Sequence, residues 1–253
     1  MAKKNLLDRL EPAFDRFQEA HFWIHGLERH YHQAEPFRWH LNVFIKAIKE
    51  IIPLIRKALQ NETGFKDWFE PFGKKLSTDP LLRQLSSNRD YVVHHGMLAL
   101  KSSGWLGITE GRGIKLGLSF PVNSNEDSDD AMRAFIGALA VNGDFLGFLA
   151  EDEDSLPCVE RYWRLPGSDE DVVDVCARAW LILGETMAEV AEWCGVERPQ
   201  FELQCRHSSQ QLHFKIYNRK FLRARLLEMR AQPNFVMAED AHDAAPLTIG
   251  DED

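Results

Sequence analysis

The sequence predicts a mainly α-helical protein that contains a β-containing insertion and ends in an acidic tail. Apolar residues recur at spacings of three and four in three stretches before residue 100 and in a fourth between about 170 and 195. After Lys101 the pattern changes to alternation around glycine-rich turns. Residues 239–253 contain six acids and neither Lys nor Arg. These observations favour a helical bundle in which the fourth helix packs beside the first three.

The same segments predict the domain organisation. We expect a single domain over residues 1–231, with the β-containing insertion at about 103–165 and a disordered tail over residues 232–253. A hydrophobic content of 44% is ordinary for a globular chain, so a packed core is expected. Cys176 and Cys194 fall in an apolar helical pattern and are expected to be buried thiols.

The charge and hydropathy of the chain limit its partners. The net charge is −9, which argues against a protein that coats nucleic acid generally, although six of the negative charges lie in the tail and leave room for a local basic surface. No run of 18 apolar residues is present, and no apolar segment follows the basic residues near the N-terminus. We therefore expect a cytoplasmic protein that does not enter a membrane.

Three helices are predicted before residue 100. The first begins at Pro12, and after a break at 33–36 the second continues to Leu59, with a kink expected at Pro53. The apolar face of the first helix comprises Phe14, Phe17, His21, Ile24, Leu27 and Tyr31. Residues 61–78 are predicted to be an aromatic-rich connection. Thr78-Asp79-Pro80 then begins the third helix, with Asp79 as the N-cap.

The second half of the chain mixes β and α patterns. Residues 104–120 predict a β-hairpin, 131–141 a short helix and 142–170 irregular structure. A long amphipathic helix follows from about Glu170 to a C-cap at Gly195. A strand at 213–217 and a basic helix at 218–230 complete the expectation.

The segment Arg89 to His95 is the candidate active site. Within about two turns of the third helix it carries a guanidinium, a carboxylate and two imidazoles. Phosphodiester chemistry without a metal uses such groups, namely a fixed cation for the phosphate and a group that titrates near neutral pH. Asp90 and His94 are four residues apart on one face, so the carboxylate can orient the imidazole.

One copy of this helix is not expected to suffice. Arg89 and His94 are separated by about 140° around the helix axis, so they cannot easily act on one atom from a single helix. Two copies that face each other across a two-fold axis would pool both groups. The motif therefore predicts a homodimer with a composite site.

Arg89-Asp90-x-x-x-His94 resembles the Arg-x(4–6)-His motif of the HEPN superfamily (higher eukaryotes and prokaryotes nucleotide-binding). The resemblance extends over the helical segments, about 1–100 and 170–195. It implies an antiparallel bundle that dimerises with both motifs at a shared cleft. It also implies a metal-independent endoribonuclease without a cofactor, often a toxin or defence effector that acts on RNA and is restrained by an antitoxin or regulatory protein.

The resemblance also implies residue roles. Arg89 would bind the scissile phosphate and stabilise its developing charge, His94 would act as general acid or base around the ribose 2′-hydroxyl, and Asp90 would support the histidine. The looser family spacing also admits His95, so the choice between the two imidazoles stays open.

Several alternatives remain. His21, His25 and Glu28 have the spacing of metal ligands along one helix, but satisfied histidines near the core are the commoner outcome, and no metal site is predicted. The basic helix supplies candidate RNA-contacting residues, although a solvated charged face is more usual. These candidates are Arg219, Lys220, Arg223 and Arg225. The main competing function is a non-catalytic interaction module, or a nucleotide-binding module, that acts with a partner protein.

Overall fold

The chain is mainly helical and carries a small antiparallel sheet, as the sequence predicts. The computed structural model describes residues 2–95, 100–110, 113–120, 123–141, 156–203 and 209–231. Its helices are α1 (Ala2–Arg9), α2 (Glu11–Arg29), α3 (Ala34–Leu59), α4 (Phe65–Thr78), α5 (Pro80–His95), α6 (Ser128–Val141), α7 (Val172–Trp193), α8 (Ser209–Leu212) and α9 (Arg219–Arg230). Its strands are β1 (Lys101–Glu110), β2 (Gly113–Phe120), β3 (Pro157–Arg164) and β4 (Phe214–Ile216). The tail predicted to be disordered lies outside the described residues.

The chain divides into two compact units. The helical unit comprises Met1–Lys101 and Trp163–Ser209, and the sheet unit comprises Ser102–Tyr162 and Gln210–Asp253. The first segment of the sheet unit nearly coincides with the stretch that the sequence sets apart as an insertion. The second segment brings β4 and α9 into the same unit, so the β-structure is not confined to the insertion.

An antiparallel pair of helices, α2 and α3, forms the centre of the helical unit. The apolar residues on the facing sides of these helices are almost fully buried, because residues three and four apart share one helix face. These buried positions include Phe17, Ile24, Leu27, Phe37, Leu41, Phe44, Ile51 and Ile55. Pro53 lies within the continuous helix α3, and α7 packs against α2. The predicted helices of this region are therefore confirmed.

The prediction of a connection at 61–78 is wrong, because Phe65–Thr78 is a helix. Gly64 has φ of 79°, which allows the chain to turn into α4, and Phe65, Phe69 and Leu76 then point into the core. Pro71 and Gly73 lie inside this helix and ordinarily disfavour one. The buried aromatic face outweighs their intrinsic cost.

The predicted ends of the two later bundle helices are confirmed. Asp79 Oδ1 accepts hydrogen bonds from the amides of Leu81 and Leu82 at 3.0 Å, which is the N-cap of α5. Just after the C-terminal end of α7, Gly195 has φ of 82°, a conformation that suits a residue after a helix C-terminus. Both ends are set by local backbone chemistry.

A buried hydrogen-bonded cluster joins the start of α7 to the end of α2. Asp171 caps α7 by accepting from Val173 N at 2.9 Å and also accepts from the Tyr31 hydroxyl. Trp163 Nε1 donates to the carbonyl of Tyr31 at 2.7 Å. The cluster satisfies polar groups that would otherwise be costly to bury.

The sheet unit is built on four strands in the order β2-β1-β3-β4. The predicted hairpin is confirmed: β1 and β2 pair antiparallel from Gly104 opposite Phe120 to Glu110 opposite Gly113. The prediction of irregular structure over 142–170 is wrong for Pro157–Arg164, which forms β3. Strand β3 pairs antiparallel with β4. Its formation therefore depends on a partner strand that lies more than 50 residues later in the sequence.

Two helices, α6 and α9, pack together over the core of the sheet unit. This core contains Leu106, Met132, Ile136, Val159, Tyr217 and Met229. Beside it lies Arg161, whose side chain is fully buried and donates to Ser102 Oγ at 3.0 Å and to the carbonyl of Asn123 at 3.0 Å. The guanidinium therefore holds β1, β3 and the loop before α6 together.

Over the residues that the structure describes, none of the helices is both long enough and apolar enough to cross a bilayer.

Candidate functional site

The segment Arg89 to His95 lies on a helix, as predicted. Its backbone continues α5 without interruption from Pro80 to His95. The side chains of Arg89, Asp90, His94 and His95 lie outside the described part of the structure.

The helical backbone relates these positions to the described start of α5. Positions 83, 90 and 94 fall within about 20° of one line along the axis, while position 89 lies about 120° away from position 83. Arg83 is exposed, and it marks the side of the helix on which positions 90 and 94 follow about two and three turns later.

Beside the first two turns of α5, the helical unit has a cavity of about 360 Å³. Four helices contribute to it: α3, α4, α5 and α7. Its apolar lining is entirely aliphatic, with the side chains of Ile45, Ile48, Ile52, Leu76, Leu82, Leu85 and Leu183. Volumes of this size, at the lower end of the range for small-molecule sites, are typical of pockets that enclose one small ligand.

Three cations border the cavity: Lys49 and Arg56 from α3, and Arg83 from α5. Its other polar lining residues are Ser77 and Ser86, and no carboxylate is among the lining residues that the structure describes. Within those same residues, neither Arg56 nor Arg83 forms an ion pair with an acid. Arg56 and Arg83 therefore bring positive charge to the rim of the cavity, and the described lining contains no carboxylate beside them.

The Arg56 guanidinium is held in place by α4. Its Cζ lies 5.7 Å from the centre of the Phe69 ring, a cation–π distance. Gly73 leaves room for it, because a Cβ at position 73 would lie 2.5 Å from Arg56 Nη2. The glycine that disfavours α4 locally thus allows the arginine to lie against this helix.

The N-terminal histidines form contacts with protein groups. His25 Nδ1 lies 2.7 Å from Glu28 Oε2, and the His21 ring lies 4.9 Å from the ring of Trp180. Burial, followed by the nearby His25, lowers the pKa of His21 below its ordinary 6.5. In the described part of the chain, no group of three His, Cys, Asp or Glu residues is arranged to hold a metal ion.

The described cysteines are buried and unpaired. Burial raises the pKa of the Cys158 thiol to about 12, and it raises the pKa of Cys176 well above its ordinary value. A thiol must ionise to act as a nucleophile, so neither group is poised for catalysis. The prediction of buried thiols at Cys176 and Cys194 is confirmed.

The candidate RNA-contacting residues are divided by the fold. Lys220 and Arg223 are exposed on α9, and Arg219 is half-buried. Arg225 instead turns toward α6, where its Nε donates to the carbonyl of Arg133 at 3.2 Å and its Nη1 pairs with Glu228. Because Arg225 has intramolecular partners, only Lys220 and Arg223 are presented to solvent as an RNA-binding surface would require.

The cationic rim was not predicted from the sequence. A signal is present for part of it, because Lys49 and Arg56 are seven residues apart on α3 and interrupt its apolar face on one side. Nothing in the sequence places Arg83 beside them, since it comes from a helix almost 30 residues later.

The comparisons with known proteins concern the N-terminal part of the chain. Residues 9–111 match the family model described as bacteriophage lambda protein ea47. The match runs through α2, α3, α4 and α5 and ends just after β1, so it includes the motif and three of the four helices around the cavity. A search of the curated proteins and a search of the solved structures each found no match.

Proposed function

We propose that the chain is a metal-independent endoribonuclease of the HEPN type, acting as a homodimer. The observation that supports this proposal is the unbroken helix Pro80–His95, which carries Arg89, Asp90 and His94 within a helical bundle. The packing of α5 against α3, α4 and α7 supports it further, because a helix braced on one side can present its other positions to a second copy.

In the proposed reaction the ribose 2′-hydroxyl attacks the adjacent phosphorus. The new bond joins phosphorus to the 2′-oxygen, and the bond to the 5′-oxygen of the next nucleotide breaks. The histidine of one copy accepts the 2′-hydroxyl proton, and the leaving 5′-oxygen takes up a proton from water. Arg89 stabilises the charge on the phosphoryl oxygens, and the products are a 2′,3′-cyclic phosphate and a 5′-hydroxyl.

The test is RNA cleavage in the presence of EDTA. Wild-type protein should cut RNA and leave the two ends named above, while Arg89→Ala and His94→Ala should each lose activity. Arg29→Ala serves as a matched control, because Arg29 is an exposed arginine of α2 that is not part of the motif. His95→Ala distinguishes the two imidazoles. Intact RNA with a dimeric, folded wild-type protein would refute the proposal.

Mixing inactive variants tests the composite site. When Arg89→Ala and His94→Ala proteins exchange subunits, a heterodimer contains one intact Arg and one intact His from different copies. Equal mixing should restore activity, up to roughly a quarter of the wild-type value, because half of the dimers are mixed and each holds half the groups. No restoration, with subunit exchange shown by light scattering and labelling, would contradict a shared site.

A second candidate function is that of a non-catalytic interaction module acting with a partner such as an antitoxin. Two large aromatic side chains favour it, Phe22 on α2 at 60% exposure and Trp39 on α3 at 58%. Exposed aromatic residues are enriched where proteins bind one another. If RNA stays intact and the double variant Phe22→Ser/Trp39→Ser loses a partner that wild type binds, this function replaces the first.

A further inference from the structure

We infer that the cavity between α3, α4, α5 and α7 binds a single-chain anionic amphiphile, an unbranched alkyl chain that ends in a carboxylate or a phosphate. The observation that carries this inference is the division of the cavity wall into an aliphatic floor and a cationic rim. The inference is independent of RNA cleavage, because none of the residues that line the cavity belongs to the motif.

The floor selects an alkyl chain over a more polar group. Ile45, Ile48 and Leu85 are at most 6% exposed, so the floor is formed by buried aliphatic side chains. The side chains of the floor carry only carbon and hydrogen, so a ligand N–H that faced them would find no acceptor. A buried N–H without an acceptor is costly, whereas an alkyl chain loses nothing there.

The rim selects an anion. Arg56 approaches the opening from α3, and Arg83 approaches it from α5. Lys49 lies about two turns before Arg56 on α3. A carboxylate or phosphate placed between the guanidinium groups would form charge-assisted hydrogen bonds, which are stronger than neutral ones. A cationic head group would meet positive charge from both sides, so the rim discriminates by sign as well as by size.

The volume limits the ligand to one short chain. At about 360 Å³ the cavity is near the lower end of the range for small-molecule sites, so a lipid with two long chains does not fit. A nucleotide is disfavoured for a different reason. The described lining contains neither an aromatic ring to stack on a base nor a side-chain amide or carboxylate to accept its amino hydrogens.

The experiment is calorimetric titration of the full chain with four compounds in 0.15 M salt, a concentration at which distant surface charges are largely screened. Decanoate and decyl phosphate present the two anionic head groups on the same tail. Decyltrimethylammonium has that tail with a cationic head, and AMP has the phosphate without the tail. Decanoate and decyl phosphate should bind at one site per chain, and the other two should not.

Chain length and charge variants test the two halves of the cavity separately. Octanoate should bind about fifteenfold more weakly than decanoate, because it lacks two methylenes that contribute about 0.8 kcal/mol each. Arg56→Gln and Arg83→Gln should each weaken decanoate binding roughly three- to tenfold. Arg29→Gln, which removes an exposed charge from the same unit away from the cavity, should leave binding unchanged.

The last variant fills the cavity with a larger side chain. Ser86 is half-buried in the lining, so Ser86→Leu should occupy the space of the tail and abolish decanoate binding while α5 keeps its helical propensity. Equal binding of decyltrimethylammonium and decanoate would overturn the inference, as would AMP binding without decanoate binding. It would also be overturned if decanoate bound Arg56→Gln, Arg83→Gln and Ser86→Leu as tightly as wild type. RNA cleavage does not enter any of these measurements, so this inference and the proposed function fail separately.

Discussion

The close packing of α2 on α3 makes Gly26→Ala a sensitive test of the helical unit. A Cβ at position 26 would lie 2.0 Å from His40 Cδ2 and 2.9 Å from His40 Cγ. The Cγ atom is bonded to the His40 Cβ and cannot swing away as the end of a long side chain can. The imidazole must therefore leave its position, or the two helices must separate.

The His40 ring has partners that resist this movement. Its Nδ1 donates to the carbonyl of Pro36 at 2.6 Å, and the ring stacks on His30 with centroids 4.8 Å apart. Overpacking of this kind costs about 1–3 kcal/mol, and loss of the hydrogen bond costs about 0.5–1.5 kcal/mol. Alanine recovers at most about 1 kcal/mol, because it is a better helix former than glycine. We expect a net destabilisation of about 1–3 kcal/mol.

Urea denaturation followed by tryptophan fluorescence measures this change in the helical unit. All the tryptophans except Trp105 lie in that unit, so the signal reports mainly on it. The midpoint for Gly26→Ala should fall. His40→Ala should then cost less in the Gly26→Ala background than in wild type, since the added methyl group no longer meets a ring. A Gly26→Ala protein that is as stable as wild type or more stable would refute the close-packing argument.

Two further predictions concern the sheet unit and pH. Arg161→Met should lower the free energy of unfolding of the sheet unit by about 1–3 kcal/mol, because it removes the fully buried guanidinium that donates to the Ser102 hydroxyl and to the Asn123 carbonyl. Arg133→Met, which removes an exposed ion pair with Glu228, should cost about 1 kcal/mol or less. Hydrogen exchange of β1 amides measures both, and equal effects would contradict the role given to burial. The lowered pKa of His21 means that the unfolded chain binds a proton more readily than the folded one below pH 6.5, so stability should fall as the pH drops from 7 toward 5. His21→Gln should flatten this part of the stability–pH profile, and an unchanged slope would show that His21 is not responsible.

Helix positions in this protein could be predicted where the signal lies within a few residues. The apolar spacing of α2, α3 and α7 and the Asp79 cap of α5 are examples, because a helix face and an N-cap depend on residues three or four apart. Helix α4 could not be predicted in this way, because its local sequence does not favour a helix. Pro71 and Gly73 are unfavourable locally, and only the burial of Phe65 and Phe69 against other helices compensates for them.

The sequence alone determined that Arg89 to His95 would lie on a helix of a mainly helical protein, because both statements follow from local periodicity. Only the tertiary structure decided that Lys49, Arg56 and Arg83 border one cavity, since they come from helices whose packing no local pattern describes. The same holds for Arg161. An arginine in a sequence is ordinarily a surface residue, and only the meeting of β1, β3 and the loop before α6 supplies the acceptors that allow its burial.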